Sequence, residues 1–227
     1  MELWDLYDRD RKPLDKTMVR GEEVAPGTYH DVVHICMFNH NGKMLIQHRQ
    51  PFKDGWSDMW DITLGGSTQT GENSRTGAHR ELCEELGIDY DFTNARPALT
   101  INAPGIFDDF YLIDGEVDPG TLRCQPEEVS EARWAGHDEI LSMIDDGIFI
   151  PYHKCFIDML FAMHATGSMR SRPDTTVPRE KQEGVGNEMQ KLNEKTAALM
   201  DERFGCDNVI ALATACGDMP YVRGVNA

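Results

Sequence analysis

The amino-acid sequence predicts an α+β fold in which short strands and a few helices form layers. Three observations carry that reading. Short runs rich in β-branched and aromatic residues recur through the first two thirds of the chain, bounded by turn-forming residues. Helical periodicity is confined to a few segments, such as residues 152–163, where Phe156, Leu160 and Met163 recur at helical spacing. The chain has 227 residues, room for one large core and a remainder but not for two full domains.

In chain order, residues 3–8 alternate apolar and acidic side chains, residues 9–15 are turn-rich, and residues 17–20 are again extended, which predicts a strand, a turn and a strand. Residues 32–39 and 43–49 flank Asn41-Gly42, a strong hairpin signal because both residue types tolerate the positive φ of a tight turn. Further strands are expected at residues 60–64, 98–101, 107–113 and 132–134, and helices at residues 73–86, 138–144 and 152–163. These elements make up a first domain, residues 1–166. Residues 167–186 carry almost nothing apolar and read as a linker. Residues 187–227 read as an amphipathic helix to residue 204, a strand at 208–215, a turn at Gly217-Asp218 and a strand at 221–225. That is too little chain to bury a core alone, so either a truncated second domain or a tail packed against the first domain or another subunit is expected.

Lys and Arg number 22 against 39 Asp and Glu, a net charge of −17. Binding to nucleic acid or an anionic membrane draws on the opposite sign, so neither partner is expected. A polyanionic substrate would need a metal or a few local cations. No apolar run approaches a membrane span, and the opening Met1-Glu2-Leu3-Trp4-Asp5 has neither a basic nor an apolar signal region, so a cytoplasmic protein is expected. The six cysteines are scattered without a CxxC pair, which predicts reduced thiols and neither a zinc cluster nor a disulfide scaffold.

The chemistry concentrates between Gly66 and Ile88, GSTQTGENSRTGAHRELCEELGI. Asn73 is a good N-cap and Gly87 a good residue to follow the last turn, so Ser74 to Leu86 should be one helix. On it Ala78, Leu82 and Leu86 form the buried stripe, while Glu81, Glu84 and Glu85 share another face at i, i+3 and i+4. Like charges so spaced cost a few tenths of a kcal/mol per pair, and more when dehydrated, so a positive charge is expected among them. With no His or Cys in the trio, the donors suit a hard cation such as Mg²⁺ or Mn²⁺. A solvated acidic face would show the same spacing.

The wider pattern distinguishes these readings. Gly66, five residues, Glu72, seven residues, Arg80-Glu81-Leu82, one residue, Glu84-Glu85, one residue and Gly87-Ile88 match the signature of the Nudix hydrolases. The resemblance covers roughly residues 2–166: YHDVVHICMFNHNGKMLIQHR is similar to the family's central hairpin, WDITLGGST to the strand entering the signature, and EEVSEARW to its late strand. It implies an α/β/α sandwich in which the signature forms a loop, a helix and a loop. It implies that Glu81, Glu84, Glu85 and the Gly66 carbonyl hold the metal, while Arg80 and Glu72 form a buried pair fixing loop to helix.

The implied activity is Mg²⁺- or Mn²⁺-dependent cleavage of a phosphoanhydride in a small-molecule diphosphate, typically a nucleoside diphosphate derivative, with Glu72, Arg80, Glu81, Glu84 and Glu85 as catalytic residues. Glu81 is the first candidate to take the water's proton, and a loop acid among Glu127, Glu128 or Glu131 is the alternative. Arg49 and Lys53 could steer phosphate. A homodimer is compatible with this reading.

Two alternatives share the fold. The isopentenyl-diphosphate isomerases resemble this chain around the hairpin, but Gly65 stands where their Cys is expected, Ser67 where a metal-binding His is expected, and Phe110 where their Glu is expected. His30 alone matches one of their ligands; with His34 it also reads as a strand-end pair on one sheet face. A non-catalytic sensor of a nucleotide metabolite is the other alternative, opposed by the intact signature. Residues 187–227 weakly resemble the opening of the pyridoxamine-phosphate-oxidase-like split barrels; they cover too little of that domain to imply a bound flavin.

Overall fold

The computed structural model describes residues 2–168 and 170, together with the backbone of Val209–Cys216 and Met219–Asn226. The chain divides into two compact units, Met1–Ser171 and Arg172–Ala227. Among the described residues no helix is long and apolar enough to cross a membrane.

In the first unit the elements run β1 (Leu3–Tyr7), β2 (Pro13–Val19), β3 (His30–Phe38), β4 (Met44–Arg49), β5 (Trp60–Asp61), β6 (Leu64–Ser67), α1 (Ser74–Leu86), β7 (Leu99–Ala103), β8 (Ile106–Asp114), β9 (Val129–Ala135), α2 (His137–Asp145) and α3 (Lys154–Thr166). β3 is central: it pairs parallel with β8 and antiparallel with β6, while β9 and β5 flank β4. Successive side chains of a strand face opposite sides of the sheet. Val33, Ile35 and Met37 therefore pack under Ala78, Leu82 and Leu86 of α1. Cys36 and Phe38 pack on the other side with Ile140 and Met143 of α2 and Ile157 and Leu160 of α3. The result is the expected α+β sandwich, a mixed sheet between helices.

The expected hairpin at Asn41-Gly42 is present only at its tip. Gly42 takes φ +68°, Asn39 Oδ1 accepts the N–H groups of Asn41 and Lys43, and β3 meets β4 in register at Phe38 and Met44 alone. Beyond that point the strands part. The cause is Thr63, whose buried hydroxyl donates to the Leu45 carbonyl at 2.6 Å and accepts the Met37 N–H at 2.8 Å, standing in for a ladder bond between β3 and β4. The single strand expected at 60–64 is accordingly two: β5 pairs with β4, the chain crosses at Ile62-Thr63, and β6 pairs with β3. This split opens the sheet where the cleft lies.

The hairpin β1–β2 is clamped to the sheet by Arg11. Its guanidinium binds Asp109 with two bonds, 2.6 and 3.1 Å, and Asp31 with a third at 3.1 Å. Both carboxylates are buried, so the guanidinium that compensates them also ties the hairpin to the sheet, beside the backbone bridge between Tyr7 and Tyr29.

In the second unit, β10 (Val209–Cys216) and β11 (Met219–Asn226) pair antiparallel, from Val209 opposite Asn226 to Cys216 opposite Met219. The expected helix at 187–204, the turn at Gly217-Asp218 and the linker beyond residue 170 lie outside the described residues.

The clamp generates a pH prediction. Burial pushes the Asp109 carboxyl up, but the bonds from Arg11, Ser74 and Thr100 outweigh it and hold it below the ordinary Asp value. A depressed folded-state pKa stabilises above the unfolded value and is lost as pH falls through the folded one. Asp109→Asn should therefore lower the melting temperature at pH 7, by roughly 2–4 kcal/mol in stability, and flatten the acid limb below about pH 4. Thermal melts of both proteins from pH 2 to 7 check this; an unchanged acid limb would place the acid sensitivity elsewhere.

Candidate active site

The helix that carries the acidic trio is set by its ends and its stripe. Asn73 accepts the N–H groups of Arg75 and Thr76 at 3.0 and 3.2 Å, and Thr76 Oγ1 accepts the Asn73 N–H at 2.9 Å, a complete capping box. Gly87, at φ +67°, turns left-handed and donates to the Cys83 carbonyl. With Ala78, Leu82 and Leu86 fully buried, the rotation of α1 is fixed, and its glutamates fall where that rotation puts them. Glu81 and Glu85 are buried, whereas the Glu84 side chain is 53% exposed. The shared acidic face is thus two inward carboxylates and one at the rim.

The positive charge expected among them is Arg80. Its Nε and Nη2 bind the two oxygens of Glu72 at 2.7 and 3.1 Å, and Nη2 also donates to the Ser67 carbonyl at 3.0 Å. Nη1 reaches Glu84 at 2.9 Å and Glu81 at 3.1 Å. The Arg80–Glu72 pair exists and ties loop to helix, and the same guanidinium also spreads Glu81 and Glu84 around itself. Glu85 lies outside its reach; its partner is the Gln47 amide, at 3.3 Å.

These side chains line a cleft of about 400 Å³. β6 forms one wall with Gly65, Gly66 and Ser67. A Cβ on Gly66 would sit 2.4 Å from the Glu81 carboxyl, and one on Gly65 would sit 2.5 Å from His34 Nε2. Glycine here is a requirement of close approach. Arg49 and Lys53 also line the cleft, and Lys53 pairs with Glu128. Of the three loop acids considered, Glu128 lines the cleft, while Glu127 and Glu131 are exposed away from it.

Burial pushes Glu81 up to about 7 against the pull of Arg80, with Glu84 and Glu2 adding to the push. Burial likewise pushes Glu85 up to about 8, reinforced by Glu81 and Glu128 and opposed by Gln47 and Lys53. Both shifts say that negative charge is crowded here without a full counter-charge. The carboxylates of α1 offer oxygen donors, and Gln47 Oε1 beside them is buried without a partner among the described residues. Such a set fits a hard divalent cation.

Sequence reasoning missed several lining residues. Glu2, Trp4 and Arg20 arrive from the β1–β2 hairpin, and Trp4 stacks on His30 with ring centroids 4.2 Å apart. His34 also lines the cleft, with Nδ1 bonded to Asp108 at 2.6 Å. Only the even spacing of His30 and His34, which does put both on one face of β3, hinted at this. The positions of the isomerase groups hold Gly65, packed on His34, and Phe110, buried and stacked on it. Neither side chain can transfer a proton.

Comparison with known proteins agrees with the geometry. The family model for the NUDIX domain matches residues 28–154. A Listeria innocua protein described as an uncharacterized Nudix hydrolase is 41% identical over 163 residues, 72% of this chain and 95% of its own. An isopentenyl-diphosphate Delta-isomerase of Citrobacter koseri is similar at 25% identity over 134 residues, 54% of this chain and 73% of its own. Among solved structures, a Deinococcus radiodurans protein superimposes with a TM-score of 0.54 at 22% identity, covering 65% of this chain and 91% of its own; it supports the fold alone.

Arg80→Ala should lower stability as well as activity. A fully buried pair costs about 3–5 kcal/mol to break; with both partners about a fifth exposed, the loss should be about 2–3 kcal/mol. Denaturant unfolding measures it. An unchanged midpoint would mean that Arg80 does not anchor the loop.

Proposed function

Since the chain belongs to the NUDIX domain family and is a hydrolase of the Nudix type, we propose that it hydrolyses a phosphoanhydride bond in a small-molecule diphosphate, of the nucleoside diphosphate type, with the aid of Mg²⁺ or Mn²⁺. The observation that carries the proposal is the meeting of two under-compensated buried carboxylates, Glu81 and Glu85, with the cations of one cleft. In a protein of net charge −17, Arg20, Arg49, Lys53 and Arg80 line the same cleft, which is what a polyanionic substrate needs.

The residues suited to hold the divalent ion are Glu81, Glu84, Glu85 and the main chain at Gly66. Bound there, the ion supplies neutralisation of phosphate oxygens and acidification of the attacking water. The chain's own groups do the rest. Arg80 fixes the loop against α1 through Glu72 and the Ser67 carbonyl, so that β6 and the glutamates keep one geometry. Arg20, Arg49 and Lys53 orient the phosphates. Glu81, packed against Gly66, takes the water's proton, and Glu128, in the cleft beside Lys53, is the alternative acceptor.

Glu85→Gln preserves shape and removes charge. With a panel of nucleoside diphosphate derivatives and prenyl diphosphates, the variant should lose turnover by about 10³-fold or more while its fold survives. Mg²⁺ should raise the melting temperature of the wild type and not of the variant. Wild-type turnover by Glu85→Gln at saturating Mg²⁺ would overturn the assignment.

We also assign the chemistry to residues 1–166 alone, because every described residue that lines the cleft precedes Val129. A chain ending at Thr166 should keep the metal-dependent rate of the full protein. A folded but inactive truncated chain would place part of the site in residues 167–227.

A further inference from the structure

Outside the cleft, one cluster brings together three donors of different chemistry. His79 and Cys83 stand one turn apart on α1, and Asp89 follows the left-handed turn at Gly87, which folds the chain back over the last turn. His79 Nε2 lies 3.0 Å from Asp89 Oδ1 and 3.6 Å from Cys83 Sγ. Among the described residues this is the one group of three His, Cys, Asp or Glu ligand atoms that all lie within 4.8 Å of one another.

From this geometry we propose that His79, Cys83 and Asp89 form a second metal site, for a transition ion of the Zn²⁺ class. Bonds of about 2.0–2.3 Å at tetrahedral angles place neighbouring donors about 3.3–3.6 Å apart; the two contacts of His79 are within a few tenths of an ångström of that spacing, and Cys83 and Asp89, within 4.8 Å of each other, reach it by side-chain rotation. A nitrogen, a sulfur and an oxygen select this class over Mg²⁺, which prefers oxygen alone. At about 100° per residue, His79 and Cys83 point roughly opposite to Glu81, Glu84 and Glu85 around α1, so the two sites share a helix and no donor. His79 and Asp89 also border a shallow groove of about 480 Å³, which leaves a path for the ion and a fourth position for water.

Binding has a defined competitor. The Cys83 thiol now lies 3.3 Å from the Ile88 carbonyl, which accepts its proton. Coordination releases that proton to solvent and exchanges one weak hydrogen bond for the thiolate–metal bond. The His79–Asp89 contact that it replaces is an exposed pair of small worth. The ion would link the last turns of α1 to the chain beyond the helix cap, bracing the helix that presents the glutamates to the cleft.

The test is titration of the full chain with Co²⁺ in excess Mg²⁺, followed by competition with Zn²⁺. Wild type should show thiolate-to-cobalt charge-transfer absorption at one equivalent, and Zn²⁺ should abolish it. Cys83→Ser should lack the band, His79→Ala and Asp89→Asn should weaken Zn²⁺ binding at least about tenfold, and Glu85→Gln should leave the band intact. Absence of the band in wild type, its survival in Cys83→Ser, or its loss in Glu85→Gln would each overturn the proposal. Phosphoanhydride turnover, measured separately on the same variants, reports on the cleft reading independently.

Discussion

The Arg80 guanidinium joins everything that shapes the cleft. Its three nitrogens reach Glu72 at the head of the loop, the Ser67 carbonyl at the end of β6, and Glu81 and Glu84 on its own helix. A planar fork of fixed donors can satisfy that many acceptors at once, where a flexible ammonium could not. Loop, strand end and helix thereby move as one piece, and the carboxylates keep their spacing although they repel. The arrangement offsets Glu81 only in part and leaves Glu85 facing Gln47, so the least compensated charge lies deepest.

The cleft owes its existence to a failure of strand pairing. β3 and β4 leave their turn as if to form a ladder, and the Thr63 hydroxyl takes the place of the next bonds. Two short strands then fill the gap, and β6 runs Gly65-Gly66 past His34 and Glu81 at distances that exclude any side chain. The hairpin β1–β2 also borders the cleft. It is anchored by Arg11, which compensates two buried aspartates of the sheet, by the backbone bridge of Tyr7 to Tyr29 and by the stacking of Trp4 on His30, and it brings Glu2, Trp4 and Arg20 to the cleft.

Electrostatics and packing act at different scales here. Four cations, Arg20, Arg49, Lys53 and Arg80, meet five glutamates in the cleft, so a polyanion is accommodated there only where further positive charge offsets the carboxylates. The same helix separates two chemistries by rotation alone. One side of α1 carries oxygen donors into the cleft, and the far side presents His79 and Cys83 to Asp89, with the apolar stripe between them setting the angle.

Much of this was legible in the sequence because it is local. The caps at Asn73 and Gly87, the stripe of Ala78, Leu82 and Leu86, and the spacing of Arg80 from Glu72 and Glu84 are fixed by neighbours within a few turns of chain, where periodicity and residue type suffice. Signature spacing likewise identified the family. What the tertiary structure alone decided involves partners far apart in sequence: the parting of β3 and β4, the pairing of β3 with β8, the docking of the first hairpin through Arg11, the choice of Glu128 over its neighbours as the loop acid in the cleft, and the inequality of three glutamates that look equivalent by spacing. The physical reason is that burial and counter-charge are set by whatever packs opposite a residue, and only the folded chain determines what that is.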